Sequence, residues 1–355
     1  MDRLDELIER MEHERRYDLV LEGGGIKGIA LIGALAVLEQ RGYRPQRLAG
    51  TSAGAIVAAL HAAGYTASEL RALLLQTGFG SFRDRGPEDR IPLVGETLSV
   101  VFQGGIFEGR TLEAWVRDLL AARGVRTFAQ LRGEDGLSRV QVIVSDVTER
   151  RLLRLPQDAA LIGLEADELE VAFAVRASAS LPLFYEPVRH KNPRTGRTHL
   201  LVDGGLLSNY PVWIFDVPGL PRWPTFGLKL VEDEPEASLG ERLGTPQSDY
   251  PGILAYLRSL IETMLEAHDR LYIEKANFAR TVAIPTLGVR TVEFDLPAAT
   301  AEALYDSGRA AAERFLTSWN FARYVAQFRT LPRPSRREEL RREGQTVDVR
   351  SCLSQ

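Results

Sequence analysis

The sequence predicts an α/β fold built on a mostly parallel sheet. Two short apolar segments, Tyr17–Glu22 and Gln46–Ala49, each lead into a glycine-containing turn and then an Ala-rich apolar helix. Strand–loop–helix thus occurs twice within about 45 residues, the pattern of a parallel α/β unit. Val140–Val147 is apolar on both faces, as a strand in the middle of a sheet must be. With 355 residues and 45% apolar side chains, the chain can bury a sizeable core in one large or two ordinary domains.

Residues 2–16 are heavily charged, with Leu4, Leu7, Ile8 and Met11 on one face, and predict a solvated N-terminal helix. After the strand at Tyr17–Glu22 comes a Gly-rich loop, then a helix from about Ile29 to Gln40, ended by Gly42. The strand at Gln46–Ala49 precedes a helix from Gly54 to Ala63 that stops at Gly64, and residues 66–76 continue as helix. Residues 78–110 mix seven glycines with Phe79, Phe82, Phe102 and Phe107; they suit a lid over a lipid site or a surface loop packed by its own aromatics. Thr111–Arg123 predicts a helix, Leu152–Leu155 a hairpin partner of the central strand, and Glu168–Ser178 an amphipathic helix ended by Pro182. His199–Val202 is a strand running into Asp203-Gly204-Gly205. Pro-rich turns follow to Pro224, then a strand at Phe226–Val231, a polar loop over 232–250 and helices at Ile253–Ala276 and Ala298–Thr317. The tail from 332 to 355 is rich in Arg, Glu and Ser and predicts disorder.

Forty-four basic and 48 acidic residues leave a net charge of −4, which gives no electrostatic case for nucleic acid as a partner. The only cysteine, Cys352, cannot form an internal disulfide, which suits a reducing compartment. The charged N-terminus has no apolar h-region, and no run reaches the roughly 18 apolar residues of a spanning helix. A cytoplasmic protein is expected, and peripheral contact with a membrane is compatible with it. No paired Cys/His set and no EF-hand spacing appears, so no metal and no cofactor is expected. Nothing in the sequence reports the oligomeric state.

Gly50-Thr51-Ser52-Ala53-Gly54 fits G-x-S-x-G, a serine on a sharp strand-to-helix turn. A serine hydroxyl is a weak nucleophile that needs a base for its proton and donors for the developing oxyanion. The N–H of Ala53 opens a helix, where positive partial charge is concentrated. Upstream, Gly23-Gly24-Gly25-Ile26-Lys27-Gly28 offers further backbone N–H groups. This run also satisfies the dinucleotide pattern G-x-G-x-x-G, which expects an acidic residue about 20 positions on for a ribose hydroxyl. No Asp or Glu lies between Gln40 and Ser68, and the P-loop pattern fails because Lys27 precedes Gly28 with no Ser or Thr after it. An oxyanion loop is the functional reading that survives.

The base is either a histidine or a carboxylate. Of five histidines, His13 lies in the charged N-terminal helix, His190 and His199 flank a turn, and His61 stands nine residues beyond Ser52 on one helix. That spacing puts His61 about 13 Å away. His268 alone follows Asp203 and so fits a Ser…Asp…His order. Asp203 could instead act directly on Ser52: it ends an apolar strand, where ligand sites gather, although Asp-Gly-Gly is also an ordinary turn.

These segments resemble the patatin-like phospholipase family in four pieces and in the family's order. Gly23–Gly28 resembles its oxyanion loop and Gly50–Gly54 its nucleophile elbow. Ala177-Ser178-Ala179-Ser180-Leu181-Pro182 is similar to a segment between nucleophile and acid, and Asp203-Gly204-Gly205 with Asn209-Tyr210-Pro211 to its aspartate motif. The resemblance covers about residues 17–231. It implies a three-layer α/β/α sandwich that hydrolyses acyl esters of lipids, phospholipids or lysophospholipids, through a serine–aspartate dyad without histidine. Carried over, Ser52 is the nucleophile, Asp203 the base, and the N–H groups of Gly24, Gly25 and Ala53 the oxyanion hole. Lys27 occupies the family's basic loop position, as a binder of lipid phosphate or a solvated side chain. The implied organisation is an N-terminal helix over 1–16, an acyl hydrolase domain over 17–331 and a tail over 332–355. The alternatives are a Ser52–Asp203–His268 esterase, a non-catalytic lipid- or nucleotide-binding module, and an effector gated by the 78–110 or 232–250 segment.

Overall fold

Gly28–Leu38 is apolar on every side, and the helix it forms is buried along nearly its whole length, as an all-round apolar helix must be. The computed structural model describes residues 13–77, 105–107, 109–232, 275–289 and 296–328. Among the described residues the helices of eight residues or more are α1 (Gly28–Gln40), α2 (Ala53–Ala62), α3 (Ala67–Thr77), α4 (Arg110–Ala122), α5 (Val171–Ser178), α6 (Ala298–Ser318) and α7 (Phe321–Phe328). The strands are β1 (Arg16–Leu21), β2 (Arg44–Thr51), β3 (Gly105–Phe107), β4 (Val140–Asp146), β5 (Arg151–Leu155), β6 (Leu183–Tyr185), β7 (Val188–Lys191), β8 (Thr198–Asp203), β9 (Thr225–Val231) and β10 (Thr281–Pro285).

Strands β10, β9, β1, β2 and β4 lie side by side and parallel. Strands β5 and β8 both run antiparallel to β4, and β7 pairs with β8. This is a mostly parallel sheet flanked by helices, the three-layer α/β/α architecture that the resemblance implies. Helix α1 lies between the sheet and α6, and its side chains join Leu19, Leu21, Leu48 and Val142 in the main core. Val20 and Ala49 face the other way and are covered by Tyr210, Val212 and Phe215.

Register decides where the chain ends meet. Strand β5 pairs with Val142–Asp146, overlapping the residues that β2 and β8 also pair with, so β2 and β8 must share the opposite edge of β4. Along that edge Thr51 stands opposite Ile143 and Asp203 opposite Val144. The last residue of β2 and the last residue of β8 therefore approach each other end-on from opposite directions. The sequence marks both strands but not the reversed direction of β8, because direction depends on a hairpin (β7–β8) docked far along the chain.

Strand β2 is longer than the apolar pattern indicates, because its polar first half pairs with β1 from Arg44 onward. Helix α5 starts at Val171 rather than Glu168, since Glu170 is held in an extended bridge to Thr127. The expected N-terminal helix lies almost wholly outside the described residues. So do most of the 78–110 segment, the 232–250 loop beyond 232, the helix expected at Ile253–Ala276 up to residue 274, and the tail over 332–355.

Candidate active site

Ser52 has φ 52 and ψ −121, a backbone conformation that a residue with a side chain adopts only under constraint. The constraint is a strand-to-helix turn with no room for side chains. A Cβ on Gly50 would lie 2.3 Å from the Gly54 carbonyl, and a Cβ on Gly54 would lie 2.4 Å from the Leu21 carbonyl oxygen. Glycine at both positions lets α2 start directly at the end of β2, with Ala53 as its first helical residue. The N–H of Ala53 belongs to the first turn, which has no acceptor within the helix.

The Gly-rich loop borders the same turn. A Cβ on Gly23 would lie 3.2 Å from the Ser52 Cβ, and a Cβ on Gly28 would lie 3.1 Å from that of Ala53. Gly25 adopts φ 53 and opens a short 3₁₀ turn, Gly25–Lys27, that runs into α1. Lys27 is half-buried at the junction. The loop is fastened where it leaves β1. Asn209 accepts the Gly23 N–H through its backbone carbonyl and donates from Nδ2 to the Gly23 carbonyl, both at 3.1 Å. On the other side Glu22 accepts from Lys229 Nζ at 2.8 Å and from the Leu230 N–H, a buried ion pair tying β1 to β9 beneath the loop.

Asp203 is 2% exposed and its carboxyl lies close enough to the Ser52 side chain for the hydroxyl to pull its pKa down. Its Oδ1 also accepts the Gly205 N–H at 2.8 Å. Burial pushes the carboxyl up from 3.8 to about 6, against the opposing pull of the Ser52 and Gly205 hydrogen bonds. The two side chains that the sequence singles out, from segments far apart in the chain, are brought to one place.

The described histidines with known partners are engaged elsewhere. His61 Nδ1 lies 2.8 Å from the Tyr65 carbonyl, and burial lowers its pKa. His190 Nε2 lies 2.9 Å from the Ile162 carbonyl, and buried His199 pairs with Asp146 at 2.8 Å. His199 shares a face of β8 with Asp203 but stands four residues away, about 13 Å along the strand. His268 lies outside the described residues. Among the described residues, no three His, Cys, Asp or Glu side chains gather as a metal site, and no helix is long and apolar enough to cross a membrane.

Some participants carry no role in the sequence reading. Ser178, fully buried, accepts the Ser52 N–H at 2.9 Å and donates to the Ile143 carbonyl at 2.6 Å. The Ser180 carbonyl accepts the Asp203 N–H at 2.9 Å. Asn209 and the Glu22–Lys229 pair act on the loop. Small buried hydroxyls leave no periodic signal, and only the resemblance of the segments around Ser178 and Asn209 draws the eye to them.

Comparison with known proteins identifies a family and several relatives. The family model described as "Patatin-like phospholipase" matches residues 19–216. YqhO of Bacillus subtilis strain 168, uncharacterised by name, is 37% identical over 305 residues, which cover 86% of this chain and 99% of that protein. Triacylglycerol lipase 4 of Saccharomyces cerevisiae strain S288c is 28% identical over 211 residues, 56% of this chain but only 22% of the yeast protein. The crystal structure of VipD from Legionella pneumophila aligns with a TM-score of 0.46 at 18% identity, covering 85% of this chain and 67% of that one. By the extent of the family match and the full-length likeness to YqhO, the chain belongs to the patatin-like phospholipase family.

Proposed function

We propose that the chain hydrolyses acyl esters of phospholipids or lysophospholipids through a Ser52–Asp203 dyad. One observation carries the reading: Ser52 stands beside a buried carboxyl, that of Asp203, whose pKa is lifted to about 6 and which the Ser52 hydroxyl pulls down. A carboxylate of ordinary acidity is a poor base for an alcohol, and raising it toward neutrality makes proton transfer less uphill while leaving it ionised at pH 7. Asp203 takes the hydroxyl proton as Ser52 Oγ attacks the ester carbonyl. The oxyanion is held by the N–H groups of Gly24, Gly25 and Ala53, each donor of this kind being worth about 10²–10³ in rate. Collapse expels the alcohol, which collects the proton from Asp203. Water then opens the acyl-enzyme: Asp203 accepts the attacking water's proton, and collapse releases the fatty acid while that proton passes to Ser52 Oγ. Such substrates place the enzyme at a membrane surface, and the lone Cys352 suits a cytoplasmic setting.

A panel of phospholipids, lysophospholipids and triacylglycerols, with products identified by mass, tests this. Wild type is expected to release fatty acid, and Ser52→Ala and Asp203→Asn each to lose about 10⁴-fold or more in kcat while staying folded. His268→Ala is expected to keep its turnover. Retained turnover in a folded Asp203→Asn enzyme overturns the dyad, and loss in His268→Ala replaces it with a triad.

A further inference from the structure

We propose that Ser178 is a positioning residue for the nucleophile, and that the step from Ser178 to Ser180 sets the spacing of Ser52 and Asp203. The proposal rests on the dyad reading above and assigns a role to a segment that the dyad itself does not use.

The two contacts come from one turn of chain. Ser178 ends α5 and takes the backbone N–H of Ser52, and two residues on, the Ser180 carbonyl takes the backbone N–H of Asp203. The proton chain runs from Ser52 N–H to Ser178 Oγ, and from Ser178 Oγ–H to the Ile143 carbonyl of β4. That same carbonyl lies 2.2 Å from where a Cβ on Gly204 would stand, so the residue after Asp203 is pressed against the group that anchors Ser178. The bridge is itself immobilised. Ser180 Oγ donates to the Arg176 carbonyl at 2.7 Å and accepts from the Arg176 guanidinium, which also donates to the Glu186 carbonyl at 3.0 Å. Arg176 and both serines are buried.

The physical need is specific. Ser52 is held at positive φ, and such a conformation persists only where its surroundings over-determine it. The Ser178 hydroxyl meets the Ser52 N–H and ties it to the strand facing Asp203. Without it, Ser52 can relax its backbone and swing its Oγ away from the carboxylate. A misplacement of about 1 Å at a reacting group is worth about 100-fold in rate.

The test compares wild type with Ser178→Ala and Ser178→Cys on the lipid substrate that wild type cleaves. The Cys variant is nearly the same size and keeps the cavity filled, but its thiol is a weak donor and acceptor. Folding is checked by near-ultraviolet circular dichroism, and the Cys variant decides if the Ala variant fails to fold. The expected result is a fall in kcat of about 100-fold with KM little changed, and an equal fall in the rate of fluorophosphonate labelling of Ser52. The acid limb of the rate profile is also expected to move to higher pH, because the Ser52 hydrogen bond that holds the Asp203 pKa down is weakened. A folded variant with wild-type kcat, labelling rate and acid limb overturns the proposal. So does a fall in kcat with the limb unmoved, which is the mark of a general packing defect. Ser52→Ala and Asp203→Asn run alongside: turnover in those variants is a failure of the dyad, whereas silence in them with wild-type behaviour at Ser178 is a failure of the positioning role alone.

Discussion

Asp203 is expensive to keep where it is. Burial moves its pKa from 3.8 to about 6, which corresponds to roughly 3 kcal/mol of folding free energy forgone at neutral pH. The sign follows from the raised folded value. Below about pH 3.8 the carboxyl is protonated in folded and unfolded chains alike, and nothing is lost. As pH rises toward 6, the unfolded chain ionises first, and the folded state loses ground until the folded carboxyl ionises too. Asp203→Asn is therefore expected to exceed wild type in stability above pH 6, by up to about 3 kcal/mol, with the gap closing toward pH 4. Urea denaturation of both proteins at pH 8 and pH 4 measures it, and a variant no more stable than wild type at pH 8 would contradict the account. On the dyad reading, the wild-type kcat/KM is expected to rise with pH through about 6, as Asp203 ionises and can serve as the base. At this scale the sequence is unevenly legible. The elbow can be read because Gly50 and Gly54 encode local crowding directly. Asp203 can be read as a residue type at a strand end. Ser178 cannot, since its role lies in two hydrogen bonds to residues far away in sequence.

Between elements, helices α1 and α6 cross backbone to backbone. A Cβ on Gly33 would lie 2.0 Å from the Tyr305 carbonyl oxygen, and one on Gly308 would lie 1.9 Å from that of Ala30. Helix propensity alone favours alanine over glycine at such sites by about 1 kcal/mol. Here the obstacle is backbone, which cannot rotate aside, and overpacking of this kind costs about 1–3 kcal/mol or more. Gly33→Ala and Gly308→Ala are therefore each expected to destabilise the fold, the reverse of the propensity trend, while the surviving folded enzyme keeps its KM. Chemical denaturation gives the sign, and a stabilised variant would mean that the helices can part freely. The buried helix α1 was legible from its unbroken apolar run. The glycine seam was not, because nothing near Gly33 in the chain indicates that a helix some 270 residues later will rest on it.

Across the whole molecule, the core and the surface divide the labour. Arg41–Glu313 and Arg71–Glu302 link helices, and Arg132–Asp167, Arg194–Glu165 and Arg197–Glu149 link loops; Arg71 is half-buried and the other arginines are exposed. Exposed pairs of this type contribute about 0–1 kcal/mol each and are screened by salt. Raising the salt from about 0.1 to about 1 M is expected to move Tm by no more than about 3 °C in differential scanning calorimetry, and a fall of about 8 °C or more would show that the ion pairs carry the fold. The fold class was legible because alternating strands and helices reveal layers, whereas the meeting of β2 and β8 on one edge of β4 was not, because pairing partners are a property of the assembled sheet. That meeting also governs timing. A chain growing from its N-terminus acquires the elbow and the Gly-rich loop early, but the carboxylate arrives only when the late hairpin descends to close the track that β2 left open. On the dyad reading, a half-made molecule holds a serine with no base beside it until β8 is in place.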